Sequence, residues 1–322
     1  MIIGLLSGCG QTENKVTGDA NTNTVKIGYF PNLTHIVTIV ALEKGYFAEA
    51  FGEKVKIETK TVENGGLFME AMSTNAIDIG TVGPGPLLNF YVKNKEYQLI
   101  SGAVNGGAVL VARKGSGVEN LADLAGEKVA IPVIGGTQDI MLRKALQEVN
   151  LKAKTNGGTV DFFAATPADT ATLFVQKSVA AAAAPEPWGH VLEDKANGKL
   201  LLDWDEFAWG KETTNTVVAA RKDFLENEDF VKSYLTAHKK AVEFIQTNPK
   251  ESIEIVSKHL KELTGKEINK EAATVAFSRL IVTTEVNEKV IQEMADISKE
   301  AGYITSSDIK GLINLKLLKD AK

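Results

Sequence analysis

The sequence predicts an α/β protein of two similar lobes followed by a helical tail. Three observations carry this: strand and helix patterns alternate from residue 25 onward, one stretch of that alternation recurs, and after Asp223 only helical patterns follow. Short β-branched runs mark the strands at 25–29 (VKIGY), 55–59 (VKIET), 77–82 (IDIGTV), 108–112 (AVLVA), 128–133 (KVAIPV) and 160–164 (VDFFA). Such alternation implies largely parallel strands joined by crossover helices. In the tail, helical patterns at 230–247 and 249–263 are separated by Asn248-Pro249, a pair that ends helices.

The recurrence divides the alternating part. Residues 55–86 run strand, loop, helix, strand and end in Gly83-Pro84-Gly85-Pro86, and 160–187 run the same way to Pro185-Glu186-Pro187. The segments 110–114 (LVARK) and 217–222 (VVAARK) also echo each other where the chain would pass between lobes, so they are expected to be the hinge strands. Lobe one is then 25–111 plus 218–322, with the helical C-terminal region packed on it, and lobe two is 112–217.

The N-terminal segment carries a different signal. Cys9 is the single cysteine and closes Leu6-Ser7-Gly8-Cys9, which resembles the lipobox of bacterial lipoproteins. That resemblance implies lipidation at Cys9 and a place outside the cytoplasmic membrane. Residues 1–24 are expected to be a truncated signal, lipobox and tether. The stretch before Cys9 is far shorter than the roughly 20 apolar residues a membrane span needs, and it lacks a basic leader. Residues 10–24 are too polar to bury a core and suit a tether.

Composition excludes several functions. A net charge of −5, from 36 basic and 41 acidic residues, argues against nucleic-acid binding. With Cys9 given to lipid, no thiol remains for disulfides or zinc, and His35, His190, His238 and His259 lack metal-ligand spacing, so neither metal nor cofactor is expected. No nucleophile stands beside a base and no acid and base pair is evident, which argues against an enzyme. Arginines number only four, Arg113, Arg143, Arg221 and Arg279, so bidentate anion clamps are few.

Six turns place small, polar or proline residues where strands give way to helices. They begin at Asn32, Asn64, Gly83, Gly135, Thr166 and Pro185. Thr166, with Pro167 at the first helical position and Asp169 two further on, reads as a capping-box variant. Helix N-termini at the carboxyl ends of strands offer unpaired N–H groups and partial positive charge. A cleft lined by such turns from both lobes favours an anion.

These residues, taken in order, resemble the substrate-binding lipoproteins of ABC importers for nitrate, taurine and aliphatic sulfonates, the NitT/TauT class. The resemblance rests on IGYFPNLTH (27–35), ALEKGYF (41–47), AIDIGTVGPGP (76–86), GGAVLVARKG (106–115), LADLAGEKVAIP (121–132), GGTQDIMLR (135–143), PEPW (185–188) and TTNTVVAARKDFL (213–225). It implies a type II periplasmic-binding-protein fold, with two α/β lobes joined by two hinge strands, and an interlobe ligand site. Carried over, the site would comprise Asn32, Thr34, His35, backbone at Gly83 and Gly85, Asn105, Thr137, Gln138, Glu186 and Trp188. One departure is that 180–184 are five alanines where the family usually has an acidic residue before PEPW.

Some of these have plain alternatives: His35 as a cap or packing residue, Trp188 as a core aromatic, and Tyr29 and Phe30 as core. The lysine-rich tail helices read as solvated faces. The function expected is extracytoplasmic capture of a small anionic or zwitterionic solute by a monomer that delivers it to an ABC permease. A sulfonate or taurine-like solute comes first, since no arginine falls in the six turns and Glu186 would pair with a cationic end. The alternatives are a thiamine-pyrimidine precursor as ligand, stacked on Trp188 and Tyr29, or an enzyme on the same fold.

Overall fold

The structure is a computed structural model that describes residues 24–265 and 269–321; Cys9, its lipobox and the tether call on residues before Thr24 lie outside the described residues. The strands are β1 (Thr24–Tyr29), β2 (Lys56–Thr61), β3 (Ile79–Val82), β4 (Tyr97–Gly106), β5 (Ala108–Arg113), β6 (Lys128–Ile131), β7 (Asp161–Ala164), β8 (Ala181–Pro185), β9 (Gly198–Leu202), β10 (Thr214–Arg221) and β11 (Leu280–Val282). The helices are α1 (Ile36–Glu43), α2 (Tyr46–Phe51), α3 (Gly65–Ser73), α4 (Pro84–Asn94), α5 (Thr137–Glu148), α6 (Pro167–Val175) and α7 (Trp188–Lys195). They continue as α8 (Lys222–Leu225), α9 (Glu228–Thr247), α10 (Pro249–Thr264), α11 (Lys270–Ser278), α12 (Glu288–Glu300) and α13 (Lys316–Asp320). No helix among the described residues is long and apolar enough to cross a membrane.

Two sheets form, one in the order β11-β4-β10-β3-β1-β2 and the other β7-β6-β8-β5-β9. The runs β2-β1-β3-β10-β4 and β7-β6-β8-β5-β9 follow the same path, which is the recurrence seen in the sequence. In each, a strand arriving from the other lobe lies antiparallel between its neighbours, β10 in the first sheet and β5 in the second. LVARK and VVAARK echo each other because β5 and β10 occupy equivalent places.

They are not the hinges, however. β5 pairs only within the second sheet and β10 only within the first, so boundaries at 111/112 and 217/218 fall inside paired strands. The chain changes sheets at Gly106-Gly107 and again between Leu202 and Thr214. Gly106 and Gly107 have φ of 69° and 71°, a left-handed pair that only glycine adopts cheaply, and added β-carbons would strike the Trp204 ring and Leu280. The sheets are also more mixed than expected. Of nine strand pairings, five are antiparallel, because each arriving strand contributes two and β11 adds another on β4. That short β11 interrupts a tail expected to be wholly helical.

Each sheet is buried on both faces. Along β10, Val218 and Ala220 join the core built with α1, α9 and α10, while Val217 and Ala219 join the one built with α3, α4 and α12. This is the two-residue period of a strand. The alanine run becomes β8, central in the second sheet, with Ala181 and Ala183 on one face and Ala182 and Ala184 on the other. Alanine favours helix; here burial on both faces of a central strand overrides it, and the short side chains let helices approach from both sides. The C-terminal helices α9, α10 and α12 supply core residues to lobe one.

Candidate functional site

All six expected turns cap helices. Asn32 precedes a short 3₁₀ turn leading into α1, and Asn64, Gly83, Gly136, Thr166 and Pro187 are the N-caps of α3, α4, α5, α6 and α7. At Thr166 the expected box is altered, since its hydroxyl donates to the Asp169 carboxylate at 2.6 Å instead of accepting a backbone N–H. The N-termini of α3, α4 and α5 meet at one cavity of about 40 Å³ between the lobes. Asn32, Thr34, His35, Asn64, Gly65 and Gly83 line it from lobe one, and Gly136, Thr137, Gln138 and Pro185 from lobe two.

The lobes touch at the cavity edge. Gly85 N–H donates to Thr137 Oγ1 at 3.3 Å. A β-carbon at Gly83 would overlap that same oxygen, and one at Gly85 would press on the Gly136–Thr137 backbone. The two glycines therefore act as the close-approach point of α4 on α5. A second link runs from Gln138 Nε2 to Asn215 Oδ1 at 3.3 Å, and Asn215 Nδ2 donates to Gly106 O at 2.7 Å. Asn215 thus joins the cavity to the chain crossing.

The donors left facing the cavity are uncharged. Thr34 spends its proton on Asn32 Oδ1 at 2.7 Å, which leaves it an acceptor, whereas Thr137 accepts from Gly85 and keeps its proton to donate. His35 is buried against Phe30, ring centroids 4.2 Å apart, and its Nδ1 lies 2.8 Å from Thr81 Oγ1. Burial lowers its pKa to about 3, so it is neutral at physiological pH and contributes a dipole. The first-turn N–H groups of α3 and α5 have no partner within their own helices. Among the described residues no lysine or arginine lines the cavity, and Glu63, exposed at its rim, is the one charged residue lining it.

A wider groove of about 400 Å³ adjoins the cavity, sharing Phe30, Asn32, Glu63 and Pro167 with it, and Trp188 forms part of its wall. Glu186 faces elsewhere. Its carboxylate is fully buried on Arg279, Nη1 to Oε1 2.7 Å, and also accepts from His190 N–H at 3.1 Å. It therefore faces a protein cation and not the cavity. Gly85 and Asn105 do not line the cavity either, and Asn105 Oδ1 is buried without a hydrogen bond. Arg143 is held by Asp139 at 2.6 Å and by Tyr303 and Asn156. Sequence reasoning missed Phe30, Glu63, Asn215 and Thr216. The signal for the last two was a run of three polar residues, Thr214 to Thr216, opening a strand that continues as VVAA.

Among the described residues no group of histidine, cysteine, aspartate or glutamate is arranged to hold a metal. The fold is that of periplasmic binding proteins. The alkanesulfonate-binding protein of Xanthomonas axonopodis pv. citri, solved bound to MOPS, superposes with a TM-score of 0.78 over 92% of this chain and 99% of its own, at 17% identity. The nitrate-binding protein of Synechocystis PCC 6803 does so at 0.72 over 93% and 88%, also at 17% identity. In sequence, a Brucella abortus protein named as a binding protein is 26% identical over 75% of this chain and 73% of its own length. An Escherichia coli protein named as binding aliphatic sulfonates is 24% identical over 76% and 73%. The pattern of the NMT1-like family matches residues 18–261, well over half of the sequence, and the chain belongs to that family.

Proposed function

We propose that this protein is the extracytoplasmic solute-binding component of an ABC importer and that it captures a sulfonate-type oxyanion between its lobes. The observation that carries the reading is the meeting of three helix N-termini, α3 and α4 from one lobe and α5 from the other, at a cavity that no lysine or arginine among the described residues lines. N–H dipoles, the Thr137 hydroxyl and neutral His35 suit one delocalised negative charge and not a dianion that calls for full counter-charges. A cavity of about 40 Å³ accepts a headgroup of a few atoms. The relatives that bind sulfonates and nitrate support the same class of headgroup. Anchoring through Cys9 belongs to the same reading.

The test is a thermal-shift panel on the soluble domain with taurine, ethanesulfonate, nitrate, bicarbonate and an aminopyrimidine thiamine precursor. A ligand at 100 times its Kd stabilises the native state by about 2.7 kcal/mol. Stabilisation by a sulfonate supports the proposal. A shift with the pyrimidine alone replaces it with the heterocycle reading, which the Phe30 and Trp188 rings beside the cavity would serve.

A further inference from the structure

The cavity and the groove beside it differ in size by an order of magnitude, about 40 against 400 Å³. The smaller encloses a headgroup; organic solutes need several hundred Å³. The two share Phe30, Asn32, Glu63 and Pro167 in their linings, so a solute whose headgroup fills the first has the second beside it for the rest of its body. The groove is walled by Phe30, Val62, Pro167, Trp188 and Leu263, and Leu263 is 45% exposed, which is high for a leucine. Glu63 stands at the junction. Its carboxylate is exposed and makes no hydrogen bond or ion pair among the described residues. An unpaired carboxylate beside an anion site repels a bare oxyanion, yet attracts a cation carried a few atoms behind the headgroup.

Resting on the proposed function above, we infer that the solute is a zwitterion with an organic body: its oxyanion lies in the cavity, its cationic or N–H-bearing group opposes Glu63, and its body lies in the groove against Phe30 and Trp188. Glu63 is thus the residue that selects amine-bearing sulfonates over simple oxyanions, the role the sequence suggested for Glu186.

Calorimetric titration of wild type and Glu63→Gln with taurine and ethanesulfonate, which differ only in the amine, decides it. Wild type should prefer taurine. Glu63→Gln should weaken taurine by about fivefold, the scale of a partly solvated ion pair, while ethanesulfonate binds as well or better. The taurine preference should also shrink with added salt in wild type only. A taurine-to-ethanesulfonate ratio unchanged by Glu63→Gln overturns this inference and leaves the sulfonate reading standing. Failure of folded wild type to bind either sulfonate overturns both. Since Glu63 is exposed and unpaired, the variant should fold as wild type does, which circular dichroism checks.

Discussion

Arg279, at the end of α11 in lobe one, reaches across to Glu186 on the proline turn of lobe two, with Nη1 and Oε1 2.7 Å apart and both side chains buried. The same guanidinium holds Glu193 at 2.7 Å and Asp203 at 3.2 Å. The Arg279 carbonyl accepts from Gly107 N–H at 2.8 Å, so this cluster sits at the chain crossing. Three carboxylates on one cation fasten the turn that carries Pro185 into the cavity.

Removing the cation should be costly. Arg279→Met strands Glu186 in an apolar interior, and breaking a buried pair costs about 3 to 5 kcal/mol. Burial already holds the Glu186 carboxyl above its ordinary range in spite of Arg279. A carboxyl raised in the folded state favours folding at low pH and loses that contribution as pH climbs through its unfolded value toward its folded one. The deficit of Arg279→Met relative to wild type should therefore narrow as pH falls toward 4. Urea unfolding of both proteins across pH 4 to 8 checks this; a deficit that widens in acid would refute it.

Two histidines set the opposite trend. Burial lowers His35 to about 3 and His238 to about 4, so the unfolded chain takes up protons that the native state refuses. Stability from each is fully present above the unfolded pKa near 6.5 and is lost as pH falls through the window below it. At pH 5 the loss is about 2 kcal/mol per histidine. The expected outcome is a urea midpoint that falls from pH 7 to 5, with about half of the fall removed in His238→Gln. NMR titration of the ring protons should show neither histidine ionising above pH 5.

Much of the fold was legible because it is written in local patterns. The recurrence of strand, helix and proline-rich turn gave two lobes, and the echo of LVARK in VVAARK gave a real equivalence, that of β5 and β10. It misplaced the crossings because a paired strand is rigid along its length; the bends are Gly106-Gly107 and the segment before Thr214, where positive φ does not show as hydropathy. Asn32, Thr34, His35, Gly83, Thr137 and Gln138, which the family resemblance named, line the cavity; the turns that carry them were legible because capping is a local property. Glu186 was not, because its partner Arg279 lies 93 positions away and no local pattern announces such a pair. For the same reason Glu63 passed unnoticed: only the fold brings it to the cavity rim.

Closure depends on small residues at the lobe contact. Gly83→Ala places a methyl against Thr137 Oγ1 and should hold the lobes apart, weakening every ligand by about tenfold, the 1.4 kcal/mol expected for a modest steric conflict. Adding Thr137→Ala removes the opposing oxygen. If that contact is the cause, the double variant should bind no worse than Thr137→Ala alone. Calorimetry gives the affinities, and small-angle scattering should show ligand-dependent compaction in wild type but a reduced one in Gly83→Ala.

The last prediction concerns Cys9, the single cysteine, in the setting Leu6-Ser7-Gly8-Cys9. A lipid anchor would keep the binding domain beside the permease. One acyl chain gives only marginal membrane affinity, whereas two hold firmly. Expressed in a bacterium behind a complete lipoprotein signal, the wild-type protein should partition into the detergent phase and stay with the membrane fraction. Cys9→Ala, carrying the same signal, should appear in the aqueous phase with unchanged ligand affinity, since Cys9 is remote in sequence from every residue lining the cavity. Equal partitioning of the two proteins would remove lipidation from the function and leave the site between the lobes as it stands.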